Sequence, residues 1–224
     1  MSDRLRKIFL RLRIVVSLLR LVRDPGQTDL VFDIADRLYS LGAFGDAKFR
    51  LESDPDSLKL IRERRLIEKM DLDQLLKCPP GSLGHAFATH MKALGFDPEF
   101  FRKREIDSDI AFIVMRLRQS HDLWHVVTGF KTDVPGEIAL QAFTLAYLAL
   151  PLPAILVAGS LLRAALTNDK LGEKADAVSR GTSLGLRARG LFSYDWEANW
   201  SKPLEDVRRE LNLAMQDQQV SVRI

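Results

Sequence analysis

Apolar positions recur along this chain with helical spacing, and no convincing two-residue alternation of a strand interrupts them. In residues 1–23, Leu5, Ile8, Phe9, Leu12, Val15, Val16, Leu19 and Val22 form one stripe. Arg6, Arg13 and Arg20 recur every seven residues away from it, while Leu10, Ile14, Leu18 and Leu21 are apolar too. The pattern predicts a basic amphipathic first helix that ends at Asp24-Pro25-Gly26. Helices are then expected over about 29–41, over a charged stretch at 56–76, over 84–94 with His85 and His90, and over about 106–127. Residues 42–49 read as a loop. Pro79-Pro80-Gly81 and Gly95-Phe96-Asp97-Pro98 read as breaks.

Residues 138–162 carry no charge, a length that fits a membrane span. Pro151 and Pro153 sit near the middle, and Gln141, Thr144 and Tyr147 dilute the run. Two helices, about 136–150 and 153–167, are expected instead. Helices this apolar predict a greasy interior, a dimer interface or a tunnel for an apolar ligand. Residues 168–190 are polar and punctuated by Gly172, Gly181, Gly185 and Gly190, and a last helix is expected over 203–215. The fold class expected is all-α: a single-domain helical bundle with an apolar groove or tunnel and a helix-borne metal site. Residues 1–23 form its basic N-terminal helix, and 24–224 its metal- and lipid-binding domain.

The 224 residues, 46% hydrophobic and 28% charged, suffice for a packed core and exclude disorder and collagen-like repeats. Cys78 is the single cysteine, so no intrachain disulfide forms. The net charge of +3 is unevenly placed. Residues 1–23 hold seven cations against Asp3, a net +6, which leaves −3 for the rest. A basic lead segment on an acidic body argues against a nucleic-acid binder and for an anionic membrane surface. Packing of this helix on the core is the competing reading. Arginine interrupts the apolar run and no clear small-residue cleavage site follows, so a secretory signal is not expected; an Arg-rich, acid-poor transit peptide stays open.

The candidate chemistry lies in His121-Asp122-Leu123-Trp124-His125, followed eleven residues later by Glu137. Histidines at i and i+4 share a helix face and reach one point. Gly129 offers a helix stop, and Lys131 to Gly136 a turn with Asp133 as the next N-cap. The chain then returns, and the Glu137 carboxylate comes back beside the imidazoles. Two imidazoles and one or two carboxylates suit Zn²⁺ or Fe²⁺ with a position left open. Asp122 is turned about 100° from His121; it reads as a further ligand, an orienting group or a base. The competing account is a pair of buried histidines satisfied by hydrogen bonds. A metalloprotease would need glutamate where Asp122 stands. A His-Asp phosphohydrolase would need a further histidine, His85 or His90, and an aspartate such as Asp169, none of which the sequence singles out. Arg116 and Arg118 read as solvated surface charges or as holders of a substrate carboxylate or lipid head group. Cys78 reads as inert.

With its flanks, HDLWHVVTGF and GEIALQAF, this segment resembles the coenzyme Q (ubiquinone) biosynthesis protein 4 family. PPGSLGHAFATHMKALGFDPEF and LFSYDWEANWSKPLEDVRREL resemble the family's entry and closing segments, and the likeness covers about residues 24–215. Trp196, Glu197 and Trp200 match the closing motif and read as a packing anchor. The resemblance implies an all-helical, peripheral membrane protein of the quinone pathway, with a divalent metal, usually taken as zinc, on His121, Asp122, His125 and Glu137. It implies oxidative decarboxylation of a polyprenylated aromatic acid, a hydroxyl replacing the C1 carboxylate, with Asp122 and Glu137 as catalytic groups. The alternative is a non-catalytic prenyl-lipid scaffold that organises other quinone-biosynthesis proteins around a structural metal. Zinc has no redox chemistry, so either iron serves or the electron-rich phenol meets oxygen while the metal polarises it. Residues 1–23 match less well and make no clear transit peptide, as expected of a bacterial homologue. The expected location is the cytoplasmic membrane face, or the matrix face of the mitochondrial inner membrane in a eukaryote. No nucleic acid is expected as partner; a homodimer is one outlet for the apolar helices.

Overall fold

A computed structural model describes residues 2–24, 26–101 and 105–214. Among them there is no strand, only an isolated bridge between Ser82 and Pro203. The helices are α1 (Asp3–Arg23), α2 (Thr28–Ser40), α3 (Gly45–Glu52), α4 (Pro55–Glu63), α5 (Leu72–Leu75), α6 (Leu83–Leu94), α7 (Asp109–Thr128), α8 (Val134–Leu148), α9 (Pro151–Thr167), α10 (Leu171–Arg187) and α11 (Leu204–Glu210), with one 3₁₀ turn at Glu197–Asn199. Side-chain oxygens start the helices around the site. Ser82 accepts from the His85 N–H, Ser108 from Ala111 and Asp133 from Gly136, each satisfying a donor that the first turn leaves orphaned. Gly95 and Gly129 end α6 and α7 in the left-handed region. The uncharged window divides as expected into α8 and α9. Among the described residues no helix is long and apolar enough to cross a membrane.

Two of the expected elements differ. The charged helix over 56–76 stops at Arg64, which adopts φ 51°. The chain then extends, because side chains of α7 take over its backbone bonds. Gln119 accepts from the Ile67 N–H at 3.0 Å and donates to the Ile67 carbonyl at 2.8 Å, and Arg116 donates to the Arg65 carbonyl. Residues 45–49, expected in a loop, belong to α3. The glycine-punctuated stretch 168–190 is mostly α10. Of the final helix, 204–210 is formed, and Met215 lies outside the described residues.

The glycines of α10 are there for contact. A Cβ on Gly181 would lie 2.0 Å from the Ala139 carbonyl oxygen, and one on Gly185 would lie 2.4 Å from that of Phe143. Small residues let the backbones of α8 and α10 approach, which anchors the helix that carries Glu137. Gly181→Ala should therefore cost about 3 kcal/mol or more and lower Tm by roughly 6–12 °C. Gly172→Ala, with nothing near its Cβ, should be neutral or slightly stabilising. Calorimetry of the two variants checks the contrast; an equal response would refute it.

The first helix turns its stripe outward. Ile14 and Ser17 are its buried residues, Leu18 packs over Gly159 of α9, and Arg37 of α2 donates to the Ser17 hydroxyl. Arg163 of α9 donates to the Val22 and Arg23 carbonyls. The side chains that blurred the sequence pattern are thus the packed ones. Leu5, Ile8, Phe9, Leu12, Val15, Val16 and Leu19 remain between 43% and 59% exposed.

Candidate metal centre

α7 brings His121 and His125 one turn apart, with their rings edge to face at 5.0 Å between centroids. Its last turn is tied down. Gly129 donates to the His125 carbonyl, and Arg208 of α11 donates to the carbonyls of Val126 and Val127 at 2.9 Å each. A cation at a helix C-terminus also complements the dipole. The return into α8 needs Gly136, where a Cβ would sit 1.9 Å from the Lys131 carbonyl oxygen. That tight turn delivers Glu137: Oε1 lies 3.0 Å from His125 Nε2, and Oε2 lies 3.8 Å from His121 Nε2. Ligand atoms of His121, His125 and Glu137 all lie within 4.8 Å of one another.

The donor set fits a divalent cation. His125 Nδ1 pairs with the Phe130 carbonyl oxygen at 2.9 Å, so the proton belongs on Nδ1 and the lone pair on Nε2. Nε2 is buried and makes no well-directed hydrogen bond, although a carboxylate oxygen stands 3.0 Å away. Two lone pairs that close call for a positive charge between them, a proton or a metal ion. Two imidazoles and a carboxylate, with second partners fixing the ring, make a three-donor set that suits zinc or iron.

Burial opposes charge on His125, but the close Glu137 carboxylate outweighs it and raises the His125 pKa, with the Phe130 carbonyl acting in the same direction. Crowding by protein atoms lowers His121, against the pull of Glu137, although the side chain stays 41% exposed. Burial also works against the Glu137 carboxylate, yet His125 and His121 hold it below the usual range. In metal-free protein the raised His125 pKa lets the His125–Glu137 pair keep a proton to higher pH than a free imidazole would. Below the raised His125 pKa, a binding cation must expel it, and affinity should fall about tenfold per pH unit. The fall should steepen once His121 protonates, at lower pH. Chelator competition across the pH range reads this slope, and a flat profile would show that these imidazoles are not ligands.

Asp122 stands outside this set of mutually close ligand atoms, but its charge acts on His90, His121 and His125. The two arginines are not surface charges. Arg116 is 1% exposed and donates to the carbonyls of Phe192, Tyr194 and Arg65; it clamps the closing segment to α7. Arg118 reaches Asp36 and lies over the Phe32 ring. Trp196 is buried, Trp200 stacks on Phe87, and Glu197 accepts from the Glu68 N–H, as expected of a packing anchor. The sequence names His90 but does not place it beside the site. Its ring lies 6.4 Å from that of His125 and nearly parallel, and no periodicity links positions 35 residues apart.

The family described as coenzyme Q (ubiquinone) biosynthesis protein Coq4 matches residues 5–217. A mitochondrial ubiquinone biosynthesis protein of Yarrowia lipolytica is 30% identical over 196 residues, 85% of this chain and 74% of that protein. Its counterpart in Coprinopsis cinerea is 27% identical over 197 residues, covering 86% and 67% respectively. The crystal structure of a Nostoc punctiforme protein assigned to ubiquinone biosynthesis superposes with a TM-score of 0.79 at 31% identity, covering 91% of this chain and 98% of that one.

Proposed function

The chain belongs to the coenzyme Q (ubiquinone) biosynthesis protein Coq4 family, and from that premise we propose that it is a metal-dependent enzyme of ubiquinone biosynthesis. The proposed reaction replaces the C1 carboxylate of a polyprenylated aromatic acid by a hydroxyl at the membrane surface. One observation carries this reading. The three donors form an open set, with the His121 and Glu137 side chains about 40% exposed while His125 is buried. A structural site closes around its ion, whereas a catalytic one keeps a position for substrate.

His121, His125 and Glu137 would hold the cation, and Phe130, through its carbonyl, would hold His125 in the binding tautomer. A bound divalent cation supplies Lewis acidity toward a phenolate or carboxylate oxygen, and iron would add redox capacity. Asp122, whose charge acts on both histidines, would take the phenol proton. The exchange removes two electrons from the ring. With dioxygen as acceptor it balances as ArCO₂H + O₂ + H₂O → ArOH + CO₂ + H₂O₂. For the prenyl tail, α9 offers half-buried Leu152, Ile155, Leu156 and Leu161 as an apolar flank. The exposed stripe of α1 would keep the enzyme on the bilayer that holds such a substrate.

The test is genetic and chemical. In a host deleted for this gene, a prenylated ring that still bears its C1 carboxylate should accumulate. Wild type should clear it and His121→Ala should not. Clearance by His121→Ala would remove metal-based catalysis and leave a lipid-presenting scaffold as the better account.

A further inference from the structure

Both ring nitrogens of His125 face an oxygen: the Phe130 carbonyl stands 2.9 Å from Nδ1, and Glu137 Oε1 stands 3.0 Å from Nε2. A neutral imidazole has one N–H to give, and a carboxylate is the stronger acceptor. A proton settled on Nε2 would remove the lone pair that a cation needs. The Phe130 carbonyl must therefore be held firmly enough to keep the proton on Nδ1. It belongs to the chain just past α7, so its place depends on how that helix ends.

That end is secured from a distance. The last carbonyls of a helix find no partner within it. Val126 and Val127 are buried, which shields theirs from water. Arg208 of α11 serves both, donating from Nε to Val127 and from Nη2 to Val126 at 2.9 Å each. Glu205, one turn back, accepts from Nη1 and aims the group. One planar guanidinium thus spans two carbonyls, a fork that an ammonium does not reproduce. The segment that carries it is fixed in turn. The N–H groups of Leu83 and Gly84, at the start of α6, donate to the Lys202 and Trp200 carbonyls, and that of Leu204 donates to Gly81.

We propose that Arg208 is a positioning residue of the metal centre: by fixing the end of α7 it keeps the Phe130 carbonyl on His125 Nδ1 and leaves Nε2 free for the cation. The use of that cation rests on the function proposed above. The tautomer of His125 does not, because it is set in metal-free protein.

The experiment uses the full-length chain. In metal-free protein in mild alkali, where the His125 ring is neutral, NMR of the ring nitrogens reads which one carries the proton. Wild type should hold it on Nδ1, and Arg208→Met should shift it toward Nε2. Zinc affinity, read by chelator competition, should fall about 10–100-fold, the loss typical of a partner outside the ligand set. Arg208→Lys should recover part of both. Arg163→Met is the control, because Arg163 serves the Val22 and Arg23 carbonyls at the end of α1 in the same way. It should lower Tm and leave tautomer and zinc affinity unchanged. An unmoved tautomer or unaltered zinc affinity in Arg208→Met, or an equal loss in Arg163→Met, would overturn the proposal. If Arg208→Met does not fold, Arg208→Lys decides by the same two readings, and wild-type values in it would overturn the proposal. The two readings fail separately. Clearance of the carboxylated ring by His121→Ala would leave the tautomer shift of Arg208→Met intact. An unmoved tautomer would leave the carboxylated ring accumulating in the deleted host.

Discussion

Glu137→Gln should strip the divalent metal from this protein and abolish turnover of the prenylated ring, with little change in fold. Glu137 is the only anion among the three donors, and its two oxygens face both imidazoles. Glutamine keeps the size and one carbonyl oxygen but loses the charge. Loss of a supporting partner outside the ligand set typically costs 10–100-fold in metal affinity, so loss of a ligand should exceed about 100-fold. Metal per chain after dialysis reads the first effect, and accumulation of the carboxylated ring reads the second. Metal retained with turnover lost would make Glu137 a base instead of a ligand; retention of both would dismiss the site. His125→Ala is the poorer test, since it also leaves a hole and orphans the Phe130 carbonyl.

The same variant carries a signature in metal-free protein. His125 is raised above its ordinary 6.5, so its stabilising pairing is complete below 6.5 and fades as pH rises through the raised value. Glu137 is held below its ordinary 4.5, so its share is present above 4.5 and is lost as pH falls through the lowered value. The pair therefore supports the metal-free fold most between about pH 4.5 and 6.5. Glu137→Gln should lower metal-free Tm in that window and leave it nearly unchanged in alkali.

Much of this site is legible in the sequence because its information is local. The i, i+4 histidines, the glycine stop, the Asp133 cap and the short return to Glu137 lie within one continuous stretch, and each local rule points to one geometry. What the sequence hides is set by distant partners. Gly181 and Gly185 look like breakers until the Ala139 and Phe143 carbonyls press against them. Arg116 looks like a surface charge until three carbonyls from two distant segments surround it. His90 looks ordinary until α6 lays it over His125. The first helix is legible as a helix, but with apolar residues on two faces its sequence does not say which face packs. Ile14, Ser17 and Leu18 turn out to meet the body, which leaves the cleaner stripe outside.

That outward stripe leads to the second large effect. Leu12→Glu combined with Val16→Glu should reduce binding to anionic lipid vesicles about 100-fold, at roughly 1.5 kcal/mol for each aliphatic side chain withheld from the bilayer. Both side chains are about half exposed and have no structural duty, so the fold should be unaffected. Charge should matter independently. The segment's net +6 favours anionic lipid by up to about 1 kcal/mol per cation near the surface, so wild type should bind zwitterionic vesicles at least tenfold more weakly and lose affinity in high salt. If the stripe joins two copies of the chain instead, lipid-free wild type should sediment as a dimer and the double variant as a monomer, with vesicle binding untouched. Membrane docking also separates by substrate. On the proposed function, a long-chain prenylated acid would arrive only from the bilayer, so the double variant should turn it over poorly. A short-chain analogue, soluble enough to arrive through water, should be converted as by wild type, because α1 contributes no residue to the metal set.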